Sequence, residues 1–433
     1  MPTRSGSWEP TPQNTPPPPT PGKDPLARSG PPGGSISTPG NDTRWGLIVA
    51  GWSVYAIYYL GRVNFSVAVP GLGEEHRLDA TRIGALAAGF FWVYSLSALP
   101  VGVLADRIGA RLLVGLGLVG SGLMNVAFIL TIHNFALSLV IWSANGIFQA
   151  MGWTPIMGAI GRWVSEKGAG RIISSFGSSF VAGTALTFAL GGFIVERGGV
   201  TAVFMAAGTV LIPAGVAWWI GVRDPIQPSS DANRPRASIA RALGLLPPAV
   251  ALGAAFVALV VWTPAYFVEV HNQPVGRSGL LSAAMPAIAI GAILAVGPWF
   301  RHSRGPGSAL RAALVLGATA TALAMVSQAS GLPAGFATVA AATALVGASS
   351  SIVLGLFPRM TSPAGVALVS GIYSLGFNLG GGAGSPIVGS LVDQESWDGV
   401  FLFLAGSVLA GAIWIIGWYI WTRSRLSEGT LAS

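Results

Sequence analysis

Arg62 lies in the apolar stretch from Trp45 to Pro70, which holds no other charged residue. Pro70 follows eight residues later, so on a helix Arg62 stands about 12 Å from that end and close to the middle of a ~30 Å hydrocarbon core. A cation at that depth costs at least ~2.5–3.5 kcal/mol on insertion scales unless it faces a wet cavity or an anion. Position alone makes Arg62 a binding-site candidate, and its planar fork suits an oxyanion because it can hold two oxygens at once. The competing role is a bond to helix-end carbonyls or to a buried carboxylate, but no apolar stretch carries an acid at comparable depth. Tyr55, Tyr59 and Arg62 fall at i, i+4 and i+7 and share a helix face that Ser66 continues. Their hydroxyls suit the same anion, or each ring packs in the interior with its hydroxyl bonded elsewhere. Asn145, Gln149 and Trp153 repeat at spacing four, and Asn378 sits in the glycine-rich run Gly376 to Gly384. Such polar groups turn toward protein rather than lipid, either lining a cavity or joining helices.

The elements that must carry these residues are set by composition. The chain has 433 residues, 52% hydrophobic and 9% charged, with a mean hydropathy of +0.63. A soluble protein has about a quarter of its residues charged, so this chain belongs in a bilayer. Its net charge of +8 is no sign of nucleic-acid binding, since the basic residues other than Arg62 gather at the ends of apolar runs. Zero cysteines exclude disulfides and thiolate metal sites. His76, His133, His271 and His302 all stand at or beyond run ends, so neither a metal nor another cofactor is expected. No Ser/His/Asp set or carboxylate pair falls within the spans, which argues against an enzyme.

Residues 1–43 are proline-rich, with Pro16 to Pro19 in sequence, and are read as a disordered tail with no signal peptide. Twelve apolar stretches of helix-spanning length follow, at 45–69, 82–104, 111–132, 135–160, 172–195, 200–222, 243–268, 278–300, 309–328, 333–357, 365–391 and 398–421. The expected fold is an all-α membrane protein. Placing both termini in the cytoplasm puts nineteen Lys and Arg on that side and four (Arg77, Arg82, Arg197, Arg277) on the other. The longest polar break, from Arg223 to Arg241, divides the chain into a first half, 44–223, a linker, 224–240, a second half, 241–423, and a tail, 424–433. Gly102 to Arg111 after the second stretch is echoed weakly by Gly297 to Gly305 after the eighth. Duplicated halves place a substrate path between them near the midplane.

Several segments carry a family resemblance. Gly102-Val-Leu-Ala-Asp-Arg-Ile-Gly-Ala-Arg111 resembles the loop signature of the major facilitator superfamily. The resemblance implies two six-helix halves and a cytoplasmic latch made by Gly102, Asp106, Arg107, Gly109 and Arg111, with Asp106 bonding Arg111 or a helix N-terminus of the other half. Tyr55 to Phe65, Asn145 to Pro155, Arg162 to Lys167, Trp262 to Val270 and Val392 to Phe401 resemble segments of the organophosphate:phosphate antiporters. That resemblance runs from about Val54 to Phe401 and implies that Arg62 and nearby tyrosines, Tyr94 included, are the phosphate-side ligands.

The chain also departs from that family. Phe256, Ala98 and Phe180 stand where the antiporters carry a second Arg, a Lys and a His. One guanidinium undercompensates a dianionic phosphate in a low-dielectric site, so a monoanion suits it better, and the two phenylalanines enlarge the apolar wall. Arg62 to Ala68 resembles the anion:cation symporters of organic carboxylates as well, but Glu196 and Glu269 lie only near helix ends, which gives little basis for a buried proton relay. The leading expectation is a monomeric, multi-pass transporter in the cell membrane, in contact with lipid and moving a small organic anion. Multidrug efflux through a cavity lined by Phe256, Phe180, Trp92 and Trp262, and a ligand sensor without transport, are the alternatives. With no native cysteine, orientation is directly testable. Ser330→Cys should react with an impermeant maleimide on intact cells and Ser229→Cys only after permeabilisation; the reverse pattern inverts the topology.

Overall fold

The computed structural model describes residues 45–163, 166–223, 243–301, 306–356 and 366–430. The tail 1–43, the linker 224–240 and part of the stretch 365–391 lie wholly or partly outside them. Every described element is helical: α1 (Trp45–Tyr58), a 3-10 turn (Tyr59–Gly61), α2 (Asn64–His76), α3 (Ala80–Thr131), α4 (Phe135–Trp163), α5 (Glu166–Gly221), α6 (Leu246–Glu269), α7 (Val275–Ala283), α8 (Met285–Arg301), α9 (Pro306–Val326), α10 (Leu332–Leu356), α11 (Val366–Asp393) and α12 (Trp397–Thr430). Helix is the form that satisfies all backbone polar groups internally in lipid, and the sequence offers little but apolar, small and helix-forming residues to oppose it.

Eight helices among the described residues are long and apolar enough to cross a bilayer, against the twelve expected stretches. Part of the difference is continuity. At 52 residues α3 is more than twice the span of a hydrocarbon core, and it contains both 82–104 and 111–132. Gly109, at φ 80°, interrupts it in a conformation that side-chain-bearing residues rarely adopt. Gly199, at φ 70°, likewise divides the 56 residues of α5 between the stretches 172–195 and 200–222. Two expected helices are broken instead: 45–69 at Tyr59–Gly61, and 278–300 at Ala284, where Pro286 follows.

At several points the halves meet through closely approaching backbones. A β-carbon on Gly84 would collide with the carbonyl of Ser385, and one on Gly389 with that of Ala80, so α3 and α11 lie in close contact. Gly279 presses on the carbonyl of Phe188 in the same way, joining α7 to α5. Close approach of this kind is how helices gain dispersion energy where lipid removes the hydrophobic drive.

Carboxylates lock the same end of the bundle. Asp393, closing α11, accepts hydrogen bonds from the backbone N–H of Ala80 (2.6 Å) and Thr81 (2.8 Å) and from the Thr81 hydroxyl (2.6 Å), at the start of α3. Glu196 accepts from the N–H of Gly276 (3.0 Å) at the start of α7. An anion at a helix N-terminus meets both unpaired N–H groups and the positive end of the dipole. Within the halves, Glu75 accepts from the N–H of Val200 (3.1 Å) and Glu269 from Trp397 Nε1 (3.1 Å). Glu75 with Glu269, Glu196 with Asp393, Ala80 with Gly276 and Val200 with Trp397 are separated by nearly the same sequence offset. That regularity marks two halves of like construction, each contributing one cap to the other.

Losing a charge–helix-end contact costs roughly 0.3–1 kcal/mol. An Asp393→Asn, Glu196→Gln double variant should therefore label about threefold faster or more at Ser66→Cys with aqueous maleimide applied to that face. An unchanged rate would show that the caps do not hold this end closed.

Candidate functional site

Arg62 does not sit on a continuous helix. After the 3-10 turn Tyr59–Gly61 its backbone adopts φ −126°, ψ −50°, and the break leaves carbonyls of the first helix without their usual intrahelical partners. Two neighbouring helices supply donors. Asn145 Nδ2 and Asn125 Nδ2 donate to the Gly61 carbonyl at 2.9 and 3.1 Å, and Gln149 Nε2 donates to that of Tyr58 at 3.1 Å. The clamp is cross-linked: the Ser121 hydroxyl donates to Asn145 Oδ1 (2.7 Å) and accepts from Gln149 Nε2 (2.8 Å), while Asn64 Nδ2 donates to Asn125 Oδ1 (2.7 Å). Asn64, Ser121, Asn125, Asn145 and Gln149 are all buried. A network of this kind rigidifies because each member left unpaired in low dielectric would be costly. The Tyr58 hydroxyl adds a bond to the Val114 carbonyl at 2.8 Å.

The break delivers Arg62 into a cavity of about 210 Å³. Ser66 of α2, Phe90, Phe91 and Tyr94 of α3, and Phe180 and Thr184 of α5 form its wall from one half; Phe256 and Val260 of α6, with Phe377 and Asn378 of α11, form it from the other. The guanidinium carbon lies 4.6 Å from the Tyr94 ring centre, 5.3 Å from Phe91, 5.5 Å from Phe90 and 5.8 Å from Tyr59. These cation–π contacts partly replace hydration without neutralising the charge. The one ion pair among the described residues is Arg82 with Asp79, at a helix start, so none of the described carboxylates pairs with Arg62. A cation held in an aromatic collar and open to a cavity can accept the oxygens of an anion.

Of the sequence-derived candidates, Arg62, Tyr59, Tyr94, Phe180, Phe256 and Asn378 line this cavity. Tyr55, Gln149 and Trp153 do not. The break at Tyr59–Gly61 removes the continuous helical register that put Tyr55 beside Arg62. Tyr55 stands behind the wall, its hydroxyl 3.3 Å from that of Tyr59 and its ring 5.0 Å from Trp153. Gln149 is occupied as a clamp on the broken helix. Asn378 donates to the Ser374 carbonyl at 2.8 Å while facing the cavity. Trp92 donates to the Leu379 carbonyl across the halves at 3.2 Å, and Trp262 is buried apart from the cavity lining. Phe90, Phe91, Phe377 and Thr184 were not singled out from sequence; apolar and hydroxyl residues in apolar helices give no signal of facing a cavity.

At the loop signature, Gly109 makes the turn and Gly102 lies on α3, while Asp106 and Arg107 are exposed. Arg111 does not pair with Asp106: its Nε and Nη2 donate to the Trp219 carbonyl at 2.9 and 2.6 Å. This places its charge at the C-terminal end of α5, the favourable end of the dipole.

A helical bundle of two like halves, closed at one end and enclosing a cavity around a lone guanidinium, defines a class of membrane protein. The Major Facilitator Superfamily model matches residues 51–362, and the chain belongs to that family. It is 28% identical over 173 residues to a probable hexose phosphate transport protein of Chlamydia pneumoniae, a match covering 40% of this chain and 38% of that protein. The chain thus aligns with well under half the length of that relative. To the chloroplastic sodium-dependent phosphate transport protein 1 of Arabidopsis thaliana it is 24% identical over 419 residues, covering 86% of this chain and 78% of the relative. A crystal structure of a bacterial homologue of the human lysosomal transporter Spinster, inward-facing and occupied, superposes with a TM-score of 0.73 at 15% identity, over 88% of this chain and 97% of that one. At that identity the likeness concerns the fold.

Asn145→Leu removes one of the two donors to the Gly61 carbonyl and leaves the Ser121 O–H without its acceptor, at about 1–3 kcal/mol for a buried group left unpaired. It should lower the thermal midpoint of the detergent-purified protein by several degrees. Asn378→Ala, at the cavity wall, should change stability by no more than about 0.5 kcal/mol. Equal midpoints for the two variants would remove the clamp from the account of the helix break.

Proposed function

We propose that this chain is a secondary transporter that moves a small organic anion, such as a phosphate ester, phosphonate or carboxylate, across the cell membrane by alternating access. The observation that carries the reading is Arg62: a guanidinium in an apolar bundle, unpaired with any described carboxylate and facing a cavity walled by both halves. Tyr59, Tyr94 and Asn378 complete the polar lining around it. The names of the relatives, which concern hexose phosphate and phosphate transport, support an anionic cargo.

The twelve apolar stretches are taken as twelve crossings, with halves at 44–223 and 241–423, a linker at 224–240 and both termini cytoplasmic, as the Lys and Arg distribution requires. On that orientation Asp393 and Glu196 close the outer face. The segment Gly102, Asp106, Arg107, Gly109 and Arg111 then acts at the inner face as a latch for the alternate state. The cavity is built within one chain, so the working unit is a monomer. Bound anion drives the exchange only if it contacts the occluded state better than either open state, and a guanidinium reached from both halves provides such a contact.

Uptake of radiolabelled anions by proteoliposomes tests the reading. Charge-assisted hydrogen bonds contribute roughly 1.5–3 kcal/mol, so Arg62→Ala should lower uptake at subsaturating substrate by about tenfold or more. Arg62→Lys, a point charge in place of a fork, should recover only part of it. Transport of every accepted anion at the wild-type rate by Arg62→Ala would sink the proposal.

A further inference from the structure

Beside the Arg62 cavity lies a second chamber of about 30 Å³, which shares Phe180, Thr184, Phe256 and Val260 with it. Ser282 of α7, Met285 and Pro286 of α8, and Thr343 of α10 form its far side. Thr263 also lines it, its hydroxyl bonded to the Leu259 carbonyl, but the hydroxyls of Thr184, Ser282 and Thr343 are buried and have no hydrogen-bond partner among the described residues. Thr184 is 1% exposed and Ser282 is 0% exposed. Other hydroxyls in the bundle behave differently. Thr187, Thr319 and Ser385 each donate to the carbonyl one turn back, at 2.7, 2.8 and 2.7 Å, the usual way a helix satisfies such a group in apolar surroundings. Three exceptions drawn from three helices and both halves converge on one small chamber. Buried polar groups are rarely left without partners, so their convergence calls for a polar atom supplied from outside the chain.

We infer that this chamber is a second subsite of the anion site, and that the ligand is a two-ended monoanion. Its charged head meets Arg62, an apolar or aromatic body passes between Phe180 and Phe256, and a hydroxyl or carbonyl oxygen at the far end pairs with Thr184, Ser282 and Thr343. Size fits this division. The volume suits one or two water-sized groups, hence the tip of a molecule whose body occupies the larger cavity. Charge fits as well, since among the described residues Arg62 is the only charged one lining either space, and a second negative charge would have no counterpart there in low dielectric. The inference rests on the reading of Arg62 as the anion anchor and adds to it the chemistry of the remainder of the ligand.

Calorimetric titration of the purified full chain with 3-phenylpropionate, 3-(4-hydroxyphenyl)propionate and phenyl phosphate tests it. The hydroxylated carboxylate should bind about five- to tenfold more tightly than its parent, the gain expected of one additional buried hydrogen bond, and phenyl phosphate more weakly than either. Thr343→Val and Ser282→Ala, which line only the second chamber, should each reduce the preference to less than about twofold while leaving affinity for 3-phenylpropionate unchanged, and Thr343→Ser should keep it. Thermal midpoints matching wild type show that the variants are folded. Equal binding of the two carboxylates by wild type, or a preference that survives both variants, overturns the subsite; chamber hydroxyls that serve only water give that result. Tight phenyl phosphate binding, or no binding of either carboxylate, overturns the monoanion class. Full affinity for both carboxylates in Arg62→Ala overturns the anchor instead, a failure distinct from loss of the hydroxyl preference.

Discussion

A guanidinium can be kept at mid-membrane depth only if the protein compensates for its lost hydration, and the first half of this molecule is arranged around that need. Four aromatic rings within 6 Å of the guanidinium carbon supply diffuse attraction, roughly 0.5–2 kcal/mol each. Together they are enough to offset an insertion cost of ~2.5–3.5 kcal/mol, yet they leave the charge itself unneutralised. A carboxylate partner would have stabilised the side chain more firmly and removed it from chemistry. The collar keeps Arg62 in place and available, and the helix break aims it.

The break has a cost of its own, which four side chains on α3 and α4 offset. Asn125, Asn145 and Gln149 donate to carbonyls that the 3-10 turn exposes, and Ser121 ties the amides together. In lipid, irregular backbone is tolerated only where protein or a cavity satisfies it, and here both conditions meet at one residue. The same economy appears at the closed end, where Asp393 and Glu196 cap helices of the opposite half. Those contacts are polar and lie at helix ends, whereas the clamp is buried within the first half.

Much of the architecture was legible in the sequence, because hydropathy and the length of a bilayer leave helices few alternatives. The stretches 82–104 and 111–132 fall on either side of Gly109, and 172–195 and 200–222 on either side of Gly199, but the interruption within 45–69 was not foreseen. Gly109 and Gly199 each interrupt the helix between two apolar stretches, as composition suggests, whereas Tyr59–Gly61 breaks a helix that composition marks as continuous. At the cavity, Arg62, Tyr59, Tyr94 and Asn378 were identifiable because polar groups in apolar spans are conspicuous. Gln149 was equally conspicuous but serves the backbone, and spacing alone does not distinguish a ligand contact from a clamp.

The sequence by itself determined that the chain lies in a membrane, that it is helical, and that one cation must be accommodated near the middle of the bundle, since each of these follows from transfer free energies counted residue by residue. Which groups surround that cation was decided by the tertiary structure. Phe90, Phe91, Phe180, Phe256 and Phe377 come from four helices and both halves, and the hydroxyls of Thr184, Ser282 and Thr343 converge across a distance in sequence that no local pattern encodes. Facing the cavity or facing lipid makes little difference to the hydropathy of a phenylalanine or threonine. The packing of close-approaching helices therefore selects among faces that composition leaves equivalent.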